Sequence, residues 1–284
     1  MRKKQTRMLA LIALIALVAS LGAFAIVKSL HGKMPRIGPE CTVRADGVVT
    51  LDWIQMANAA TITAVGVRRA MPQRGIVIAL ATALQESKLE NLETGDRDSV
   101  GLFQQRPSQG WGTVEDIQDP RYAADRFYTA LNKIKGWQQM RLTDAAQRVQ
   151  RSAYPNAYQK WAAEATVLTK ALTGGATAAV ACTVTGEPLV RGAAAASAVM
   201  QGLRLDWGQG LGATAQQPSG LTVTVGNPSA GWQYAHWLVS HARATGLERV
   251  RFAAHEWHAE AGTWQRVTAD GGTDNTQVIA RVFR

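Results

Sequence analysis

The chain has 284 residues, 46% of them hydrophobic and 18% charged, and 31 basic against 21 acidic residues give a formal net charge of +10. That apolar content supports a buried core and excludes global disorder, and the length suits one large domain or two modest ones. The basic excess favours anionic surroundings such as cell-wall polymers or lipid head groups. It is spread out and lacks a basic, aromatic-interleaved motif, which argues against nucleic acid as a partner.

Arg2, Lys3, Lys4 and Arg7 precede residues 8–27, an unbroken run of apolar or small residues. At about 1.5 Å rise per residue such a helix would span roughly 30 Å, one hydrocarbon core. The basic flank predicts an N-in orientation. The expectation is a signal-anchor over residues 1–28 and a single-pass protein of the cell membrane with extracytoplasmic C-terminal domains. The alternative is a secreted chain cleaved at Ala23-Phe24-Ala25. Beyond an export segment, the only two cysteines, Cys41 and Cys182, read as a disulfide.

Residues 29–44 read as a linker, with Pro35, Gly38 and Pro39. Apolar residues at helical spacing predict a helix over 51–70 and a second over 74–88, the latter apolar all round and therefore central. Residues 122–134 and 143–152 predict further helices, with Thr143 as N-cap. Pro155 suits the first turn of a helix running to Leu172, closed by Gly174-Gly175. These bound a first domain at 45–175. Residues 176–188 read as a second linker. In 189–284 a helix over 193–203, a strand over 221–225, a helix over 232–245 and strands over 249–253 and 277–283 predict a small α/β accessory domain.

The segment with the most chemical content runs LQESKLENLETGDRDSVGLFQQRPSQGWG from Leu84 to Gly112. It places Glu86 where a buried helix meets a polar loop. Desolvation and the negative end of the helix dipole both favour the protonated carboxyl there, as a glycosidic general acid requires. Glu86-Ser87, a short spacer, then Gly101-Leu102-Phe103-Gln104 resembles the lysozyme-like superfamily of soluble lytic transglycosylases and goose-type lysozymes. Gly95-Asp96-Arg97 is similar to the goose-type version. Ala153-Tyr154, followed by Asn156 one place late, is similar to the transglycosylases' Ala-Tyr-Asn signature.

The resemblance covers residues 45–173 and implies a mainly α fold that cleaves MurNAc–GlcNAc β-1,4 bonds in peptidoglycan glycan strands, as a lytic transglycosylase or a muramidase. It makes Glu86 the catalytic acid. Ser87 would orient substrate or acid, Gln104 would line the cleft with Phe103 as an apolar wall, and Tyr154 would contact the sugar or the acid. Arg106 stands where goose-type enzymes carry a second acid, which leaves Asp96 as the candidate base, with Asp98 behind it. No cofactor and no metal are implied.

The C-terminal region holds His236, His241, His255 and His258, and His255-Glu256-Trp257-His258 lacks the spacing of a zinc peptidase motif. The run from Gly231 to Gly246 and the strand after it resemble a small domain appended to actinobacterial cell-wall proteins, which implies a binding or structural module. Its tryptophans are more consistent with packing than with sugar platforms. The fold expectation is therefore α+β: a transmembrane helix, a mainly α lysozyme-like domain, then a small α/β domain. The competing functional expectation is a catalytically inactive wall-binding or envelope-assembly protein.

Overall fold

A computed structural model describes residues 40–267 and 275–284. The chain enters through a hairpin, β1 (Glu40–Arg44) and β2 (Val48–Asp52), whose turn passes through Asp46 in the left-handed region. Asp52 ends β2 and caps α1 (Trp53–Arg68): its carboxylate accepts from the Gln55 amide while the Gln55 side chain accepts from Asp52 N. This reciprocal cap satisfies two of the orphan donors at the helix start. α2 (Gln73–Glu86) follows, with an apolar run from Ile76 to Leu84 that is nearly all buried. The short α3 (Val114–Gln118) lies against α4 (Pro120–Asn132), and α4, α5 (Leu142–Gln150) and α6 (Ala162–Leu172) pack around α1 and α2.

The strand β3 (Val180–Cys182) then returns to β1 and completes a three-stranded sheet in the order β2-β1-β3. Cys41 and Cys182 face each other in that register and are joined by a disulfide closing 141 residues of chain.

Beyond it lie α7 (Gly192–Trp207), β4 (Thr214–Gln217), β5 (Gly220–Thr224), α8 (Pro228–Ser240), α9 (Ala242–Thr245), β6 (Leu247–Phe252), β7 (His255–His258), β8 (Thr263–Arg266) and β9 (Gln277–Val282). The six strands order as β4-β5-β9-β6-β7-β8, and every neighbouring pair is antiparallel.

Two parts of the fold expectation are corrected. The C-terminal region is α+β rather than α/β. The β5-α8-β6 pattern reads in sequence as a parallel crossover, and β5 and β6 do run parallel, but β9 inserts between them and pairs antiparallel with both. The short β6-β7 and β7-β8 connections can only join antiparallel neighbours.

The membrane-spanning helix and the single-pass localisation are also corrected. Among the described residues no helix is long and apolar enough to cross a membrane. The longest ones, α1 and α7 with 16 residues each, would span only about 24 Å, and both bury residues against other elements. Residues 8–27, on which that reading was placed, lie outside the described residues.

Several boundaries also moved. Residues 51 and 52 finish a strand, and Thr143 does not cap α5 but donates from Oγ1 to Pro155 O at 2.6 Å. Pro155 precedes α6 by a turn and a 3-10 segment, Gln159–Trp161, instead of opening the helix.

The described residues fall in one compact unit. α1 touches α4 and α2 on one side and α7 and α8 on the other. Trp257 and Trp264 donate their indole N–H groups to Cys182 O and Val180 O, tying the large sheet to β3. Trp207, Trp232, Trp237 and Trp257 are buried, as packing residues are.

His236 on α8 is fully buried, its Nδ1 at 2.8 Å from Ala171 O and its Nε2 accepting from Ala179 N at 2.9 Å. Both ring nitrogens are thus used by the neutral tautomer. Burial pulls its pKa from 6.5 down to about 4, with the Ala171 bond opposing. The folded state therefore binds fewer protons than the unfolded one between these values. The stabilisation is complete above about pH 6.5 and is lost as pH falls towards 4, amounting to about 3 kcal/mol. Urea unfolding at pH 7 and pH 4 should show that loss, and His236→Asn should flatten the pH dependence.

Candidate active site

Glu86 is the last residue of α2 and Ser87 its C-cap. The next two residues, Lys88 and Leu89, both adopt left-handed backbone angles (φ 58° and 63°), which side chains other than glycine seldom do. Polar side chains of α1 hold them there: Gln55 Nε2 donates to Lys88 O and Asn58 Nδ2 to Leu89 O. The chain therefore leaves α2 abruptly and returns past it through Val100 and Gln105, which exchange a pair of backbone hydrogen bonds. Ser87 is buried, with Oγ 2.8 Å from Leu102 O and 3.1 Å from Ala83 O. It fastens the returning segment to the end of α2 and does not face a ligand.

The Glu86 carboxylate is half-buried, and its Oε1 accepts two hydrogen bonds, from Tyr158 Oη at 2.7 Å and from Gln150 Nε2 at 3.2 Å. Gln150, the last residue of α5, gives its other amide proton to Phe103 O at 2.7 Å. Helix ends from α2 and α5, the loop before α6 and the returning segment thus meet at one carboxylate. Oε2 accepts no hydrogen bond among the described residues and is open to solvent. Burial first, and then the Glu86 charge, push the Tyr158 phenol far above its ordinary value, so it remains a donor throughout the physiological range. Lys88 lies over the Trp161 ring at 4.3 Å. Burial and Lys160 pull its ammonium down, with Glu86 opposing.

The other sequence-predicted residues divide. Gln104 sits beside the site in a left-handed conformation (φ 47°), its Nε2 donating to Gly101 O. Gly95 is packed against its amide: a Cβ there would lie 1.7 Å from Gln104 Oε1, so the glycine is required for that close approach. Phe103 is not a cleft wall. Its ring is fully buried and stacks on Phe127 at 4.7 Å, and only its carbonyl reaches the site. Tyr154 is 74% exposed and makes no side-chain contact with Glu86. The tyrosine that does is Tyr158, in a second Ala-Tyr pair four residues downstream. That repeated pair, Ala157-Tyr158, was the available signal.

The candidate bases also separate from Glu86. Asp96 has a side chain 90% exposed, with Arg97 at 3.9 Å as its ion-pair partner. Asp98 accepts from Arg106 Nε at 2.8 Å and from Ser108 N at 2.8 Å. Bonds from Ser108 and then Arg106 hold its carboxyl well below the usual carboxylate range. Arg106, which replaces an acid of the resembled pattern, thus also occupies the remaining one. Among the described residues no group of His, Cys, Asp and Glu is arranged to hold a metal ion. No family model matches the chain, and no curated protein matches it.

Proposed function

We propose that this chain cleaves the β-1,4 bond between MurNAc and GlcNAc in peptidoglycan by lytic transglycosylation, with Glu86 as the one acid–base group. The reading is supported by a single carboxylate whose Oε1 is fixed by Tyr158 and Gln150 while Oε2 is left open. The disulfide fits an oxidising, extracytoplasmic setting.

In this scheme Glu86 donates its Oε2 proton to the glycosidic oxygen as the C1–O bond breaks. The resulting carboxylate then takes the proton of the muramoyl 6-hydroxyl as O6 bonds to C1, leaving a 1,6-anhydro end and a restored acid. Inverting hydrolysis would need a second carboxylate about 6.5–9.5 Å away to activate water. Asp98 is committed to Arg106 and Ser108, and Asp96 projects into solvent.

Digestion of purified peptidoglycan followed by product mass tests the scheme. The anhydro route yields fragments lighter by one water, about 18 Da, than hydrolysis does. Hydrolytic products would refute the mechanism, and no product would favour the wall-binding alternative. Tyr158→Phe removes a hydrogen bond to a charged group, worth about 1.5–3 kcal/mol, and should lower kcat by about 10–100-fold with KM nearly unchanged. Tyr154→Phe should leave kcat near wild type.

A further inference from the structure

A cavity of about 700 Å³ opens between the segment at Trp111 and the C-terminal halves of α4 and α5. Four cations line it: Arg126 and Lys133 from α4 and its cap, Arg148 and Arg151 from α5 and its cap. No acidic residue lines it. Among the described residues none of the four is within ion-pair distance of a carboxylate, whereas Arg69, Arg106, Arg121 and Arg141 all are. Arg126 Nε is buried without a hydrogen-bond partner.

The last-turn positions of Arg148 and Lys133 complement their helix dipoles. Arg126, earlier in α4, donates from Nη2 to Gly110 O at 3.3 Å and lies over the Tyr122 ring, and Arg151 enters the space as the left-handed C-cap of α5 (φ 51°). Asp144, one turn before Arg148, offsets part of this positive charge, and the remaining like charges on one wall are stabilised when an anion binds. Trp111 and Val149 add apolar surface. The volume exceeds what a lone inorganic anion fills and suits a ligand of several residues with apolar and anionic parts.

One residue links the cavity to the chemistry through the chain. Gln150, which donates to Glu86 Oε1, lies in sequence between Val149 and Arg151, both of which line the cavity.

We propose that the Arg126–Lys133–Arg148–Arg151 cavity binds the carboxylates of a peptide stem carried by the glycan, so that the protein selects peptide-substituted over bare strands. The carrier of the anion rests on the glycan-cleaving reading, but the anion site itself does not.

Calorimetric titration of the full chain carrying Glu86→Gln, which blocks turnover, tests this with three probes: a muramoyl-peptide fragment with free carboxylates, the same fragment amidated, and a peptide-free glycan oligosaccharide. The acidic fragment should bind at least ~10-fold more tightly than the other two, and raising the salt should narrow the gap. Adding Arg148→Gln with Arg151→Gln, or separately Arg126→Gln, should remove that advantage, while Lys135→Gln outside the cavity should not. Circular dichroism confirms that each variant folds. Equal affinity for the free and amidated fragments overturns the proposal, as does displacement by inorganic phosphate together with insensitivity to amidation. Carboxylate-dependent binding by a chain that yields no glycan products would instead sink the catalytic reading and leave the anion site standing.

Discussion

Glu86→Gln is expected to lower the turnover of purified peptidoglycan by about 10²–10⁴-fold, the usual worth of a positioned general acid. The amide keeps the shape of the carboxyl, and its oxygen can still accept from Tyr158 and Gln150 at the Oε1 position. The donor position at Oε2 then carries an amide nitrogen with no transferable acid proton. Binding should therefore persist while bond cleavage fails, which separates kcat from KM. Asp96→Asn should leave the rate near wild type, because that carboxylate is solvated and paired only with Arg97. Wild-type digestion by Glu86→Gln would remove the catalytic assignment altogether. A large loss in Asp96→Asn would restore a water-activating base and with it hydrolysis.

The second large effect concerns stability. Asp206→Ala should lower the unfolding free energy by about 3–5 kcal/mol, the cost of breaking a buried charge pair from one side. Asp206, on α7, has a completely buried side chain. Its Oδ1 lies 2.5 Å from Arg121 Nε of α4, and its Oδ2 accepts from Thr61 Oγ1 of α1 at 2.8 Å and Trp237 Nε1 of α8 at 2.7 Å. His241 Nε2 stands 3.9 Å away, its ring stacked on Trp237. One carboxylate thus joins four helices from both halves of the chain. Removing it leaves Arg121 with only Asp119, at 3.6 Å, and strands the buried indole N–H.

A total stability of about 5–15 kcal/mol makes such a loss decisive. The measurement is the urea midpoint at constant slope. Arg121→Met combined with Asp206→Ala should cost less than the two single changes together by at least about 1 kcal/mol, because each single change already breaks the same pair. Additivity within about 0.5 kcal/mol would show that the pair is not coupled.

Much of this was legible in the residues themselves. The all-round apolar run in α2, the Glu86-Ser87 stop and the return through Gly101-Leu102-Phe103-Gln104 are local patterns, and local patterns are what periodicity and turn chemistry report. The even cysteine count gave the disulfide for the same reason, since only one pairing is possible. Helix existence survived while boundaries shifted, because caps such as Asp52 with Gln55 need only two residues and sit inside patterns that read as strand or helix alike.

What tertiary structure alone decided is which side chains meet. Tyr154 and Tyr158 are indistinguishable by type. The left-handed turn at Arg151 and the 3-10 segment at Gln159–Trp161 fix which one faces Glu86. Asp98 could have served as a base until Arg106, eight residues on, folded back to pair with it. Phe103 could have lined a cleft until Phe127 took its face.

The small strands β1, β2 and β3 carry too few residues to announce a period, and they exist because the disulfide register and the cross-strand ladder hold them. The insertion of β9 between β5 and β6 is likewise invisible in order of sequence. A residue's own polarity largely sets whether it is buried, so sequence reports burial. Partnership depends on where distant segments arrive, and here that was set by α1 packing both halves of the chain around Asp206.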